Sequence, residues 1–275
     1  MDERMSLALI TDVFHEDVDG SRLEARLAHA RAGGASIAVL PELPMNPWSP
    51  ATPVPRDEDA EPPEGSRQRV MAEAAAKVGI ALLGGAIVTD PDTGQRHNTA
   101  ILYDGQGQEL GRYQKVHLPE EEGYWETAHY VPGREPPRVI PVPGIIVGIQ
   151  ICSDINRPHG SQLLRSQGAE VLLVPRATPS ETYQRWRLVL RANALMADTY
   201  LLSVNRPAPE FDVDIGGPSL AVAPDGEVLY EGTDPVAIVE LEAHRAGQAV
   251  EEYPGYLARP VDLYARGWMS LGGDG

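Results

Sequence analysis

The chain has 275 residues, 42% hydrophobic and 23% charged, enough apolar material for the core of one large domain or two small ones. A formal net charge of −17 argues against nucleic acid or an anionic membrane surface as a partner, since both repel an acidic protein. One cysteine excludes an internal disulfide and fits a reducing compartment, and no apolar run reaches the roughly 18 residues that a membrane span needs.

The opening MDERMSLALITDV reads as no signal peptide, so the cytoplasm is the expected location. In chain order, residues 7–13 read as a strand and 21–30 as a helix with Leu23, Leu27 and Ala30 on one face. Residues 36–40 form a short apolar strand that stops at Pro-Glu-Leu-Pro. The stretch 44–65, rich in proline and acid, is a loop by composition. A helix is expected over 66–78, then strands at 80–88 and 97–103, a turn at Asp104-Gly105 and a further strand running towards Lys115. Residues 116–138 look irregular. The run IIVGIQIC, from 145 to 152, is a strand ending in the lone cysteine, followed by a helix at 159–167 and a strand at 170–175. A helix at 183–197, a strand at 200–205, a hairpin around Pro-Asp-Gly at 218–230 and a strand at 236–241 complete the pattern. Beyond 243 the tail shows no evident helix or strand. Strand–helix alternation without a dividing linker predicts a single α/β domain over 1–275.

Glu42, Lys115 and Cys152 each sit where an expected strand stops, the position at which α/β folds collect their chemistry. Only Lys77 and Lys115 are lysines among 23 basic residues; Lys77 reads as a solvated charge in the last turn of a helix. A thiol attacks only as thiolate and needs a base, which a carboxylate can supply. An ammonium can hold the oxyanion that the attack creates. The bland readings are an inert buried cysteine, a loop-capping glutamate and a surface lysine, and spacing alone leaves both sets open.

The motifs around these residues go further. AVLPELPMNPW around Glu42, GRYQKVHLPEEEGYWETAHYVPG around Lys115 and VGIQICSD around Cys152 resemble, in order and separation, the three signature segments of the nitrilase superfamily of carbon–nitrogen hydrolases. QGAEVLLVPRATP, WRLVLRANALMADTYLLSVNR and GGPSLAVAPDGEVL resemble its later blocks, and ARPVDLY its C-terminal end. The resemblance implies a four-layer α-β-β-α sandwich. It makes Glu42 the general base, Lys115 the oxyanion donor and Cys152 the nucleophile, with the Ser153 backbone N–H as a second donor. Glu126 matches a further glutamate that contacts substrate, and Trp48 an aromatic residue at the pocket mouth; Glu120, Glu121 and Glu122 become loop charges near the entrance.

The implied reaction is hydrolysis of a small-molecule amide or N-carbamoyl group through a thioester, releasing ammonia or an amine. Alternatives are a nitrilase working through a thioimidate and a catalytically silent relative that binds a metabolite. No metal or organic cofactor is expected; His117, His129 and His159 lack a tight ligand spacing. The stretch after the nucleophile, Cys-Ser-Asp-Ile-Asn-Arg-Pro-His, departs from the family's aromatic-rich pattern. Arg157 replaces an aromatic residue there, and Arg176 follows the strand EVLLVP, so both are candidate partners for a substrate carboxylate. Glu120 to Glu122 argue the other way, for an amine. The tail, 243–275, is expected to pack across a subunit interface in a homodimer or larger homo-oligomer.

Overall fold

The structure, a computed structural model, describes residues 1–17 and 19–271. Its first half runs β1 (Arg4–Leu9), α1 (Ser21–Ala32), β2 (Ile37–Val39), β3 (Ala60–Glu61), α2 (Ser66–Val78), β4 (Ala81–Thr89), β5 (Arg96–Tyr103) and β6 (Glu109–Gln114). After a small hairpin of β7 (Glu120–Glu121) and β8 (Tyr124–Trp125) and a single turn, α3 (Glu126–His129), come β9 (Ile140–Val142), β10 (Ile145–Ile149), α4 (Pro158–Ser166) and β11 (Val171–Arg176). The chain closes with α5 (Tyr183–Ala197), β12 (Tyr200–Asn205), β13 (Ser219–Val222), β14 (Val228–Gly232), β15 (Ala237–Glu242), α6 (Ala243–Glu251) and α7 (Val261–Met269).

Two sheets face each other. One has the order β15-β1-β2-β4-β5-β6, with β3 added beside β4; the other runs β14-β13-β12-β11-β10-β9. Side chains alternate along each strand, which assigns them to layers. Leu7 and Leu9 of β1 meet Val171 and Leu173 of β11 in the core between the sheets. Ala8 and Ile10 point the other way, onto Leu23 and Leu27 of α1 and Met71 and Ala75 of α2. On the second sheet, Leu172 and Val174 pack against Leu164 of α4 and Leu190 and Ala194 of α5. Strands buried on both faces need apolar residues at nearly every position, hence runs such as VLLV and IALLGGAIV. The result is the four-layer α-β-β-α sandwich.

Four stretches differ from expectation: within the expected loop 44–65, Ala60 and Glu61 form β3 beside β4. Residues 116–138 hold the β7–β8 hairpin and α3, too short to leave a periodic signal. The strand β9 was not expected; Pro141 occupies its exposed middle position, tolerable because β9 is an edge strand. The tail folds into α6 and α7, although Gly247, Gly267 and Pro260 obscure the pattern. Among the described residues no helix is long and apolar enough to cross a membrane.

Candidate active site

The ends of β2, β6, β10, β11 and β12 converge, and each delivers a polar group. Lys115, just past β6, is completely buried. Its Nζ donates to Glu42 Oε1 at 2.7 Å and to both oxygens of Glu126, at 2.6 and 2.7 Å. Burial alone would lower the lysine's pKa, but the two carboxylates outweigh it and raise it, so the ammonium persists. Glu126 is pushed up to about 7 by burial, against the pull of Lys115 and with the charge of Glu42 adding to the effect.

Glu42 follows β2 and is equally buried. Its Oε1 also accepts from Asn98 Nδ2 at 2.7 Å, while Oε2 is buried with no hydrogen-bond partner. Arg206, just past β12, holds the backbone in place by donating to the carbonyls of Glu42 (2.9 Å), Leu43 (2.8 Å) and Asn46 (3.0 Å). Glu210 in turn accepts from Arg206 Nε at 2.8 Å.

Cys152 opens a short 3-10 turn, Cys152–Asn156, with φ at +48°, a left-handed backbone unusual for a side-chain-bearing residue. Its thiol lies 3.7 Å from the Ala177 carbonyl beyond β11. Burial pushes the thiol well above its ordinary pKa; Glu42 adds to the rise and Lys115 opposes it. The resting group is therefore a thiol that needs a base, and a buried carboxylate oxygen without a donor is suited to be one. Asp154 ties this turn to the lysine segment. Its Oδ1 accepts from the backbone N–H of Val116 and His117 and from His117 Nδ1; Oδ2 accepts from Tyr113 Oη and the Ile151 N–H.

The structure brings Glu42, Lys115 and Glu126 into direct contact. The Ser153 N–H lies in the first turn after the nucleophile, where helical N–H groups lack internal acceptors, and its hydroxyl donates to the His117 carbonyl. Trp48 is not at an open mouth. It is fully buried, donates Nε1–H to the Gly123 carbonyl at 2.8 Å and meets Tyr124 edge-on at 5.6 Å.

Neither arginine stands free beside the thiol. Arg157 is exposed and lines a cavity of about 460 Å³ that Cys152 does not border. Arg176 is wholly buried and donates to the Ser203 and Thr178 hydroxyls and the Pro218 carbonyl. Of the histidines, His129 donates to the Thr52 carbonyl, His117 binds Asp154 and His159 packs on Trp268, and among the described residues no three His, Cys, Asp or Glu side chains are grouped to hold a metal ion.

Sequence reasoning assigns no role to Asn98, Asp154, Tyr124 or Arg206. Arg206 carried a usable signal, since the apolar strand YLLSVN runs straight into it, as β10 runs into Cys152.

Comparisons with known proteins bear on the family and the fold. The profile of the carbon-nitrogen hydrolase family matches residues 13–249. The deaminated glutathione amidase of Synechocystis is 32% identical over 173 residues, a match spanning 59% of this chain and 64% of that relative. Omega-amidase NIT2-A of Xenopus laevis is 29% identical over 247 residues, 86% of this chain and 88% of the relative. The crystal structure of an amidase from Nesterenkonia sp. superposes with a TM-score of 0.78 at 27% identity, covering 96% of both chains.

Proposed function

The chain belongs to the carbon–nitrogen hydrolase family, and on that premise we propose that it hydrolyses the C–N bond of a small amide through a thioester on Cys152. Glu42 Oε2 takes the thiol proton as Sγ attacks the carbonyl carbon. The oxyanion is held by Lys115 Nζ and the Ser153 N–H. Glu42 returns the proton to the departing nitrogen, which leaves as ammonia or an amine. It then takes a proton from water, the resulting hydroxide attacks the thioester, and the acid is released as Cys152 regains its proton. Glu126 keeps the ammonium in place, and its high pKa limits the negative charge gathered around the thiol.

The observation that carries this reading is the division of labour on Glu42: Lys115 and Asn98 occupy Oε1, and Oε2 is buried and unpartnered. The amidase names of the relatives favour an amide; an N-carbamoyl group fits the same steps, since its carbon also carries a nitrogen leaving group. We also propose that the chain assembles into at least a homodimer, a reading supported by the exposed apolar side chains of its tail.

The test is ammonia release from a panel of primary amides, N-carbamoyl compounds and nitriles, with mass spectrometry of the protein under turnover. Turnover of an amide, an acyl adduct on Cys152 and loss of both in Cys152→Ala are expected. Turnover that survives Cys152→Ala would end the covalent reading, and turnover of nitriles alone would replace amidase with nitrilase.

A further inference from the structure

Two acidic loops close over Tyr124. One is the β7–β8 hairpin; the other is the segment 207–217, which leaves Arg206. They touch each other: a side chain at Gly123 would come within 2.9 Å of Val213, so glycine is required for the approach. Trp48 is clamped between them, its indole N–H on the Gly123 carbonyl and its backbone N–H on Glu210 Oε2 at 3.0 Å. On its other flank the second loop is held by Ser180, whose hydroxyl donates to Asp214 Oδ2 at 3.1 Å.

These loops carry Glu120, Glu121, Glu122, Glu210, Asp212 and Asp214, with no lysine, arginine or histidine in 118–128 or 207–217. Among the described residues Glu210 alone of the six is ion-paired, with Arg206. The other five are exposed. Carboxylates on a rim are ordinarily just solvated, so the rim means nothing by itself.

Tyr124 supplies the second observation. It is 8% exposed, and its hydroxyl is buried with no hydrogen-bond partner. A buried phenol left unpaired costs free energy unless something binds it. Its ionisation is opposed first by burial, then by Cys152 and Glu42, and further by Asp214 and Glu121. The ring directly follows Gly123 in the rim hairpin and packs in one apolar cluster with Trp48, Ile215 and Ala177, whose carbonyl receives the thiol. Neither candidate arginine answers the rim: Arg157 faces another cavity and Arg176 is occupied.

Building on the proposed amidase reading, we propose that the substrate is an amide whose far end is a cationic amine, drawn to the rim by Asp214 and Glu121 and hydrogen-bonded midway by the Tyr124 hydroxyl. This reverses the carboxylate preference that the two arginines suggested.

Three five-carbon amides separate the cases: 5-aminopentanamide, pentanamide and glutaramate. For the wild type, kcat/KM is expected to favour the cationic amide over the anionic one by at least about tenfold at low ionic strength. That preference should shrink at about 1 M salt, where the screening length falls to about 3 Å. In Glu121→Gln/Asp214→Asn the cation-to-anion ratio should fall about tenfold, whereas Glu240→Gln on the edge strand β15 should leave it unchanged. Tyr124→Phe should raise KM by about three- to tenfold, the usual range for one neutral hydrogen bond. A ratio at or below one in the wild type, or one indifferent to the double substitution, overturns the inference while a Cys152-dependent turnover leaves the amidase reading intact.

A second readout needs no turnover. Pentylammonium should protect Cys152 from alkylation by iodoacetamide, and that protection should weaken in the double variant. Equal or better protection by pentanoate would overturn the inference even if none of the three amides is hydrolysed.

Discussion

Two buried carboxylates share one ammonium, and Asn98 breaks the symmetry between them. Its amide binds the same Glu42 oxygen that Lys115 binds, which leaves Oε2 to the thiol. Asn98→Leu keeps the volume and removes the donor, so the carboxylate can rotate its free oxygen away. The expected result is a fall in kcat of about 10- to 100-fold with KM little changed, in line with about 1.5–3 kcal/mol for a hydrogen bond to a charged group. Unaltered kcat would show that Lys115 alone orients Glu42. Glu126 makes a prediction about pH. Its carboxyl is raised from 4.5 to about 7 in the folded chain, so between those values the folded chain keeps a proton that the unfolded chain has lost. Stability from this group is therefore full below about 4.5 and is lost as pH rises through about 7. Urea unfolding of wild type and Glu126→Gln across that range should show wild type losing ground to the variant as pH increases. A constant difference between the two would mean that Glu126 titrates alike in both states.

The turn after β10 is where one element meets the chemistry. Cys152 holds φ at +48° because the chain must leave the strand sharply to aim Sγ at the space beside Ala177. Such a conformation costs a non-glycine residue about 1 kcal/mol or more, which glycine does not incur. Cys152→Ala and Cys152→Gly both remove the nucleophile, but the glycine variant should be the more stable by up to about 1 kcal/mol in urea unfolding, after glycine's added chain entropy in the unfolded state has offset part of the relief. An alanine variant as stable as the glycine one, or more so, would mean that the turn is not strained.

At this scale the sequence was readable wherever one strand carried its own signal. The apolar run into Cys152 and the Pro-Glu stop after β2 were visible because burial on both faces demands unbroken hydrophobicity. The β7–β8 hairpin was hidden, since two-residue strands have no period and Glu120–Glu122 resembles any solvated loop. Asn98 and Asp154 were hidden for another reason. Asn98 is one polar residue inside a strand, and Asp154 matters because five groups meet on it, four from 113–117 and one from Ile151. Neither property is local.

For the molecule as a whole, charge and apolar exposure pull in opposite directions. A net charge of −17 keeps copies apart, whereas α7 exposes Val261, Leu263, Tyr264, Trp268 and Met269 without burying a single residue. Leu188 and Met196 of α5 and Leu163 of α4 are also exposed on the helical layer of the second sheet, and Trp268 already touches His159 of α4. Apolar surface on this scale marks an association face, and a nine-residue helix that buries nothing gains little from staying folded alone. Association is therefore expected to be driven by apolar burial and opposed by charge repulsion, so it should tighten as salt screens the acidic surfaces. Sedimentation velocity at micromolar concentration should find a dimer or larger species, favoured at high ionic strength. Leu188→Glu and Trp268→Glu should shift it towards monomer while leaving far-ultraviolet circular dichroism unchanged outside α7. A wild-type chain that sediments as a monomer at every salt concentration would show instead that the tail is solvated as it stands, its aromatic residues serving no contact between copies.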